Sequence, residues 1–396
     1  MDGPTEHRQS GATRRNVLKG AAATGAALAA SSIPGAAKAA DNVIRGYGVN
    51  TGALKDWGLF ANSTGLVMDY TETNTDPGVF IRDVVANEIG EDYDFFVFDG
   101  GMEDVLGPQG IFLEVDQSHP ELTLWDRTST DFKYAGITQD DEGRQWGFPM
   151  VNNADSFGFW PEDLDIADPL APTTWEFIFE SEKTRGRVAV DKEWAVTMVH
   201  AGWWLNTSGQ AKIADPTNMA GEDAKLVADY LVGRKKAGQF RTFYGGFDEQ
   251  VELLGNKEVA AITCWEPAVI EVNLQNNKEV VFYAFAEYHY KWGHVFYIPS
   301  QAANRANLAD IYKTANYFLG GEYCAYQAIE RGYVGPNSDL AIEYAKANDW
   351  PAEHIEIIKK SGSKVNRKYA IPPFWGDYVP PNGDVMEEEF QRVLNA

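Results

Sequence analysis

The chain has 396 residues, of which 58 are acidic and 34 basic, giving a formal net charge of -24. A surface that acidic repels polyanions and concentrates cations, so nucleic acid is excluded as a partner and a positively charged one is favoured. With 44% hydrophobic residues and only two cysteines, the chain can build two sizeable cores without a disulfide framework.

In chain order, Thr13-Arg14-Arg15-Asn16-Val17-Leu18-Lys19 precedes an alanine-rich apolar run from Gly20 to Ile33, and Ala37-Lys38-Ala39 supplies a small-x-small cleavage pattern. This is the order of a twin-arginine export signal over residues 1–39, and it predicts a mature, folded protein beginning at Ala40 or Asp41 in the periplasm. The run is too short to span a bilayer, and no cysteine follows it for lipid attachment. The first 39 residues hold Arg8, Arg14, Arg15, Lys19 and Lys38 against Asp2 and Glu6, a surplus of three positive charges, so the remainder stands at -27.

Short apolar strands then alternate with amphipathic stretches: strand Val43–Val49, helix Ala53–Asn62, strand Leu66–Tyr70, helix Val79–Ile89 and strand Asp94–Phe98. That rhythm predicts an α/β sheet with parallel strands, whose carboxyl ends carry ligand-contacting loops. Tyr47-Gly48-Val49-Asn50 and Asp99-Gly100-Gly101 are such loops. A second group of elements follows Trp146-Gly147-Phe148-Pro149, with strand Ser156–Trp160, helix Trp175–Glu182, strand Arg187–Val190 and helix Glu193–Leu205. Helices Gly221–Gly238 and Asp248–Leu254 and strand Val259–Trp265 come next, and the aromatic stretch Tyr288–Tyr297 leads to helices Leu308–Leu319 and Tyr323–Arg331. Crossings between lobes are expected near Pro149 and Gly293, which divides the chain into residues 40–149 with 294–335 and residues 150–293 with 336–396. Cys264 on a strand and Cys324 on a helix are expected as buried thiols. Ile371–Pro381 is expected as irregular chain on the surface.

Several motifs carry a resemblance in order along the chain: Tyr93-Asp94-Phe95-Phe96-Val97, Gly110-Ile111-Phe112-Leu113-Glu114-Val115-Asp116, Gly147-Phe148-Pro149, Trp175, Val259-Ala260-Ala261-Ile262-Thr263-Cys264-Trp265, Trp292-Gly293-His294-Val295-Phe296-Tyr297-Ile298-Pro299 and Arg331-Gly332-Tyr333-Val334-Gly335-Pro336-Asn337. Together they resemble the spermidine/putrescine-binding proteins among the extracellular solute-binding proteins of ABC importers, over nearly all of the chain after the signal. The resemblance implies a two-lobed binding-protein fold, each lobe a mixed sheet flanked by helices, that hinges shut over a small molecule and presents it to a membrane permease. It implies a monomer without a cofactor, and a receptor rather than an enzyme.

In that family an aromatic box holds the ligand's alkyl chain while carboxylates bind its ammonium ends. Carried over position by position, the box is Trp265, Trp292 and Tyr333, with Tyr47 or Asn50 from the first loop and Asp99 and Gly100 from the polar loop. Each ring attracts a cation by about 0.5–2 kcal/mol. Two departures redirect the expected ligand. His294 stands where the family usually has a carboxylate, and Asn152-Asn153 followed by Asp155 stands where it has an aromatic. A small zwitterion or quaternary ammonium compound fits this better than a plain diamine. Asp99, Asp155 or Glu193 would then lie near the cation, and His294 or the Asn pair near an oxyanion. Asp191 and Trp194 flank Glu193 and complete the candidates, although Asp191 serves equally well as a helix cap.

Trp57, Trp125, Trp203 and Trp204 read as packing residues. His289 and His294 lie on opposite faces of a strand, which disfavours a shared metal. Asp140-Asp141-Glu142 and Glu387-Glu388-Glu389 read as solvated runs. There is no G-x-S-x-G, G-x-x-x-x-G-K-[ST] or H-E-x-x-H pattern. A secreted hydrolase or a metal-binding receptor on the same fold stays open as the alternative.

Overall fold

The computed structural model describes residues 42–73, 77–371 and 380–396; the expected export signal over 1–39, its expected cleavage site and most of the segment Ile371–Pro381 lie outside the described residues. Among the described residues nine strands form one mixed sheet: β1 Val43–Val49, β2 Val67–Thr73, β3 Phe95–Asp99, β4 Gly147–Phe159, β5 Val188–Asp191, β6 Phe240–Tyr244, β7 Ala261–Cys264, β8 Phe282–Tyr283 and β9 Tyr290–Tyr297. Their order is β2-β1-β3-β9-β4-β7-β5-β6, with β8 beside β4.

The first half of the sheet contains parallel β2-β1-β3, and β9 closes it by running antiparallel to β3. β3 is Phe-Phe-Val-Phe-Asp and is buried throughout, the signature of a strand covered on both faces. β2, at the edge, alternates between half-buried and exposed residues. Gly48 in β1 permits the close approach of β3, because a Cβ there would lie 2.3 Å from the Val97 carbonyl oxygen. The second half holds parallel β7-β5-β6, reached through antiparallel β4.

β4 joins the two halves. Residues 147–155 pair with β9 and residues 156–159 pair with β7. Near Pro149, where a crossing between lobes is expected, β4 is one strand of 13 buried residues with a register shift between Pro149 and Val151. Proline has no amide hydrogen to give to the ladder, and a bulge accommodates it.

Helices cover both halves. Helix Trp194–Thr207 is buried on nearly all sides. Helices Gly221–Lys236 and Gly383–Leu394 pack beside it, tied by Lys235 Nζ donating to the carbonyls of Val393 and Leu394 at 3.1 and 2.9 Å. Helices Ser338–Ala347 and Ala352–Tyr369, grouped by sequence with the second lobe, pack against helix Gly321–Arg331. That helix is fixed to the first half by Tyr323, whose hydroxyl donates to the Gly52 carbonyl at 2.9 Å. The end of helix Ala352–Tyr369 docks on the shared strands, with Lys368 Nζ donating to the Ala154 carbonyl at 2.9 Å and the Tyr369 hydroxyl to the Asn153 carbonyl at 3.0 Å.

The expected helix over Ala53–Asn62 begins only at Gly58, where the Asp56 carboxylate accepts the Gly58 amide at 2.7 Å in an Asx turn. Cys264 and Cys324 are free and buried, as expected. No helix among the described residues is long and apolar enough to cross a membrane.

Candidate ligand-binding site

Between the halves lies a cavity of about 470 Å³. β9 supplies Tyr290, Trp292 and His294, every second residue and hence one face of the strand. β4 adds Asp155, which pairs with Tyr290 and shares that face. The first half contributes Thr51 and Asp99 from the carboxyl ends of its strands, and Tyr333 closes this side. From the second half come Asp191 through Val196, the Gly245-Gly246 loop after β6, and Trp265 after β7.

Asp99, Asp155, Asp191, Glu193, Trp194, Trp265, Trp292, His294 and Tyr333, all anticipated from sequence, thus come together on one cavity. The other anticipated residues do not line it. Tyr47 turns to the opposite side of β1, with its hydroxyl 2.6 Å from Asp83 Oδ2 and its ring 5.2 Å from that of Tyr93. Asn50 is exposed to solvent. Gly100 is packed under Ile137, which a Cβ would meet at 2.3 Å, and its amide donates to the Gly293 carbonyl at 2.9 Å. Asn152 points to the other face of β4. Asn153 shares the Asp155 face but is buried beneath the lining, and both side-chain Nδ2 atoms lack a partner.

The aromatic surfaces stand at angles to one another. The Trp292 ring lies 5.4 Å from Tyr333 at 84° and 5.1 Å from His294, and Trp265 stacks on Phe247 at 6.5 Å. Trp265 is held where β7 ends by its amide, which donates to Gln250 Oε1 at 3.1 Å. Four carboxylates face the cavity against one ammonium, that of Lys192, so its field is negative. Burial pushes the Asp155 carboxyl up; the Trp292 indole and the Lys368 ammonium oppose this and Asp191 reinforces it. Burial likewise raises Asp191, to about 6, although its Oδ1 accepts the Glu193 amide at 2.9 Å. Asp191 faces the cavity, but it is not the helix cap foreseen for it: the helix starts at Trp194 with Glu193 in the cap position, and the Asp191 carboxylate accepts the amide of Glu193 rather than that of a helical residue.

Helix Trp194–Thr207 begins at the cavity wall, where its partial positive charge and the Lys192 ammonium stand beside the Asp191 and Glu193 carboxylates. Both His294 nitrogens face groups of the cavity wall. Its Nε2 is 2.5 Å from Thr51 Oγ1, and its Nδ1 is 3.2 Å from Asp99 Oδ1, within ion-pair reach without an aligned hydrogen bond. Among the described residues no group of three or more His, Cys, Asp and Glu side chains is placed to hold a metal.

Tyr290, Thr51, Lys192, Gly245 and Gly246 were not anticipated as lining residues. Strand alternation from Trp292 and His294 points to Tyr290. Lys192 lies between two anticipated acids, and Thr51 follows an anticipated loop residue. No sequence signal marked the glycine pair, because β6 itself was not recognised.

No family model matches the chain, and no curated protein matches it. Solved structures resemble it in fold. The spermidine/putrescine ABC transporter substrate-binding protein PotD from Streptococcus pneumoniae, in complex with calcium and HEPES, superimposes with a TM-score of 0.68 at 14% identity, covering 90% of this chain and 99% of that one. A putative spermidine/putrescine ABC transporter from Listeria monocytogenes gives 0.65 at 15% identity, covering 89% and 99%. The Atu4243-GABA receptor gives 0.60 at 16% identity, covering 89% and 97%. The chain thus has the two-halved α/β fold of substrate-binding proteins of ABC transporters.

Proposed function

We propose that this protein is the exported solute-binding component of an ABC importer and that it captures a small ammonium compound carrying a second polar group. The observation that carries this is the convergence of five aromatic side chains and four carboxylates on one cavity between two halves of a binding-protein fold. Rings and carboxylates attract a cation. The start of helix Trp194–Thr207 and Lys192 add positive charge to the same cavity, so a zwitterion has partners for both of its charges. Neighbours described as binding spermidine/putrescine or GABA are consistent with an amine-containing ligand.

Closure bends the molecule where β4 and β9 run from one half to the other, so that residues 40–149 with 294–335 move against the bulk of 150–293. The closed form docks on a membrane permease. The arginine pair at residues 14–15 directs export by the twin-arginine route; replacing both with lysine should leave the protein in the cytoplasm, as cell fractionation would reveal.

A thermal-shift panel of putrescine, spermidine, choline, glycine betaine, GABA and taurine tests the ligand class. A cognate compound at one hundred times its Kd stabilises the protein by about 2.7 kcal/mol. Stabilisation by none of these, together with turnover of an ester or amide, would favour the hydrolase reading.

A further inference from the structure

We infer that Thr51 is a hydrogen-bond acceptor of fixed polarity at the cation end of the cavity, and that it selects ligands whose ammonium retains N–H bonds over fully alkylated ones. This rests on the proposed ammonium-binding role and narrows it. Thr51, His294 and Asp99 all line the cavity, with Thr51 Oγ1 2.5 Å from His294 Nε2 and His294 Nδ1 3.2 Å from Asp99 Oδ1. The arrangement is built into the sheet, because Asp99 and His294 are cross-strand partners on β3 and β9 and are 7% and 4% exposed. The Thr51 backbone is tied separately, its carbonyl accepting Gln327 Nε2 at 3.2 Å.

A neutral imidazole has one donor and one acceptor nitrogen. A carboxylate 3.2 Å from Nδ1 favours the hydrogen there even without ideal alignment, since the other tautomer sets a lone pair against a carboxylate oxygen. Nε2 is then the acceptor and takes the Thr51 hydroxyl hydrogen. The Thr51 oxygen keeps only lone pairs for the cavity. A primary or secondary ammonium can donate to them, whereas a trimethylammonium group cannot and leaves them desolvated. The aromatic rings hold either kind of cation and do not make this distinction; the cavity carboxylates also accept N–H bonds, so the contribution of Thr51 is the part of the preference that its removal takes away.

The test compares GABA with its N,N,N-trimethyl derivative by titration calorimetry on the full-length mature protein, the Thr51→Val variant and the Thr51→Ser variant. Wild type should prefer GABA by at least tenfold. Thr51→Val should reduce that preference through weaker GABA binding alone, and Thr51→Ser should keep it. Equal GABA binding by wild type and Thr51→Val, or a wild-type preference for the trimethyl compound, would overturn the inference. Binding of neither compound would instead refute the proposed zwitterion class, and the polarity is then decided without ligand. Nitrogen-15 NMR of His294, identified by loss of its signals in His294→Gln, should show the Nδ1–H tautomer; an Nε2–H tautomer sinks the acceptor role.

Discussion

Asp191 is 5% exposed, and its carboxyl is raised to about 6 by burial, so its ionised form works against folding. A raised carboxyl is protonated in the folded chain before the unfolded one as pH falls, so the penalty is complete above about pH 6 and disappears below the unfolded value near 4. Asp191→Asn should stabilise the ligand-free protein by about 2–3 kcal/mol at pH 7.5 and leave it unchanged near pH 4, measured by urea unfolding. With Asp191 in the proposed cation site, the gain should come with weaker ligand binding; unchanged affinity would remove Asp191 from that site. Trp265, half-buried at the rim, permits a cleaner test than Trp292, whose 7% exposure makes truncation to alanine cost about 3–5 kcal/mol of stability. Trp265→Ala should weaken binding at least tenfold while the ligand-free melting temperature shifts little; unchanged affinity would remove this ring from the site.

Strands β9 and β4 explain which site residues could be found in the sequence. Trp292 and His294 were legible because they repeat at the strand period beside a recognisable motif, and the same period leads to Tyr290. Thr51 and Lys192 had only adjacent candidates in the sequence as a signal, because their place at the cavity depends on how the halves meet. β6 escaped notice since Phe240–Tyr244 is only half-buried over most of its length and includes Arg241. Helices Ser338–Ala347 and Ala352–Tyr369 find their partners by tertiary packing, which amphipathic spacing alone leaves undirected. Helix Trp194–Thr207 carries another element-level consequence. Burial holds His200, stacked 4.3 Å from Trp175, at about 3. Its depressed value keeps it neutral in the folded chain, while the unfolded chain takes up a proton below about 6.5, so stability is lost as pH falls. Between pH 7 and pH 5 this group should remove about 2 kcal/mol, a loss absent in His200→Phe, and the variant comparison isolates it from the opposite trend of Asp191.

At the scale of the whole molecule, charge dominates. With -24 overall, and no cancelling basic face at the cavity, self-repulsion opposes compaction. Raising NaCl from about 0.1 to 1 M shortens the Debye length from about 10 to 3 Å, so the melting temperature should rise. The association rate of a cationic ligand should fall over the same range, because the steering field is screened. A melting temperature that falls with salt would show instead that surface ion pairs outweigh repulsion.

The placement of β9 between β3 and β4 also governs when the protein can fold. Phe96 pairs with Tyr297, and Asp99 pairs with His294, so the amino-terminal sheet is completed by residues made some two hundred positions later. Loop closure over that span is slow, and such contacts place the fold among those with high contact order. As it leaves the ribosome, the nascent chain can build β1, β2 and β3 but has nothing to cover the flank of β3 until residue 297 of 396 has emerged. Most of the chain must therefore be synthesised before the amino-terminal half acquires its final core.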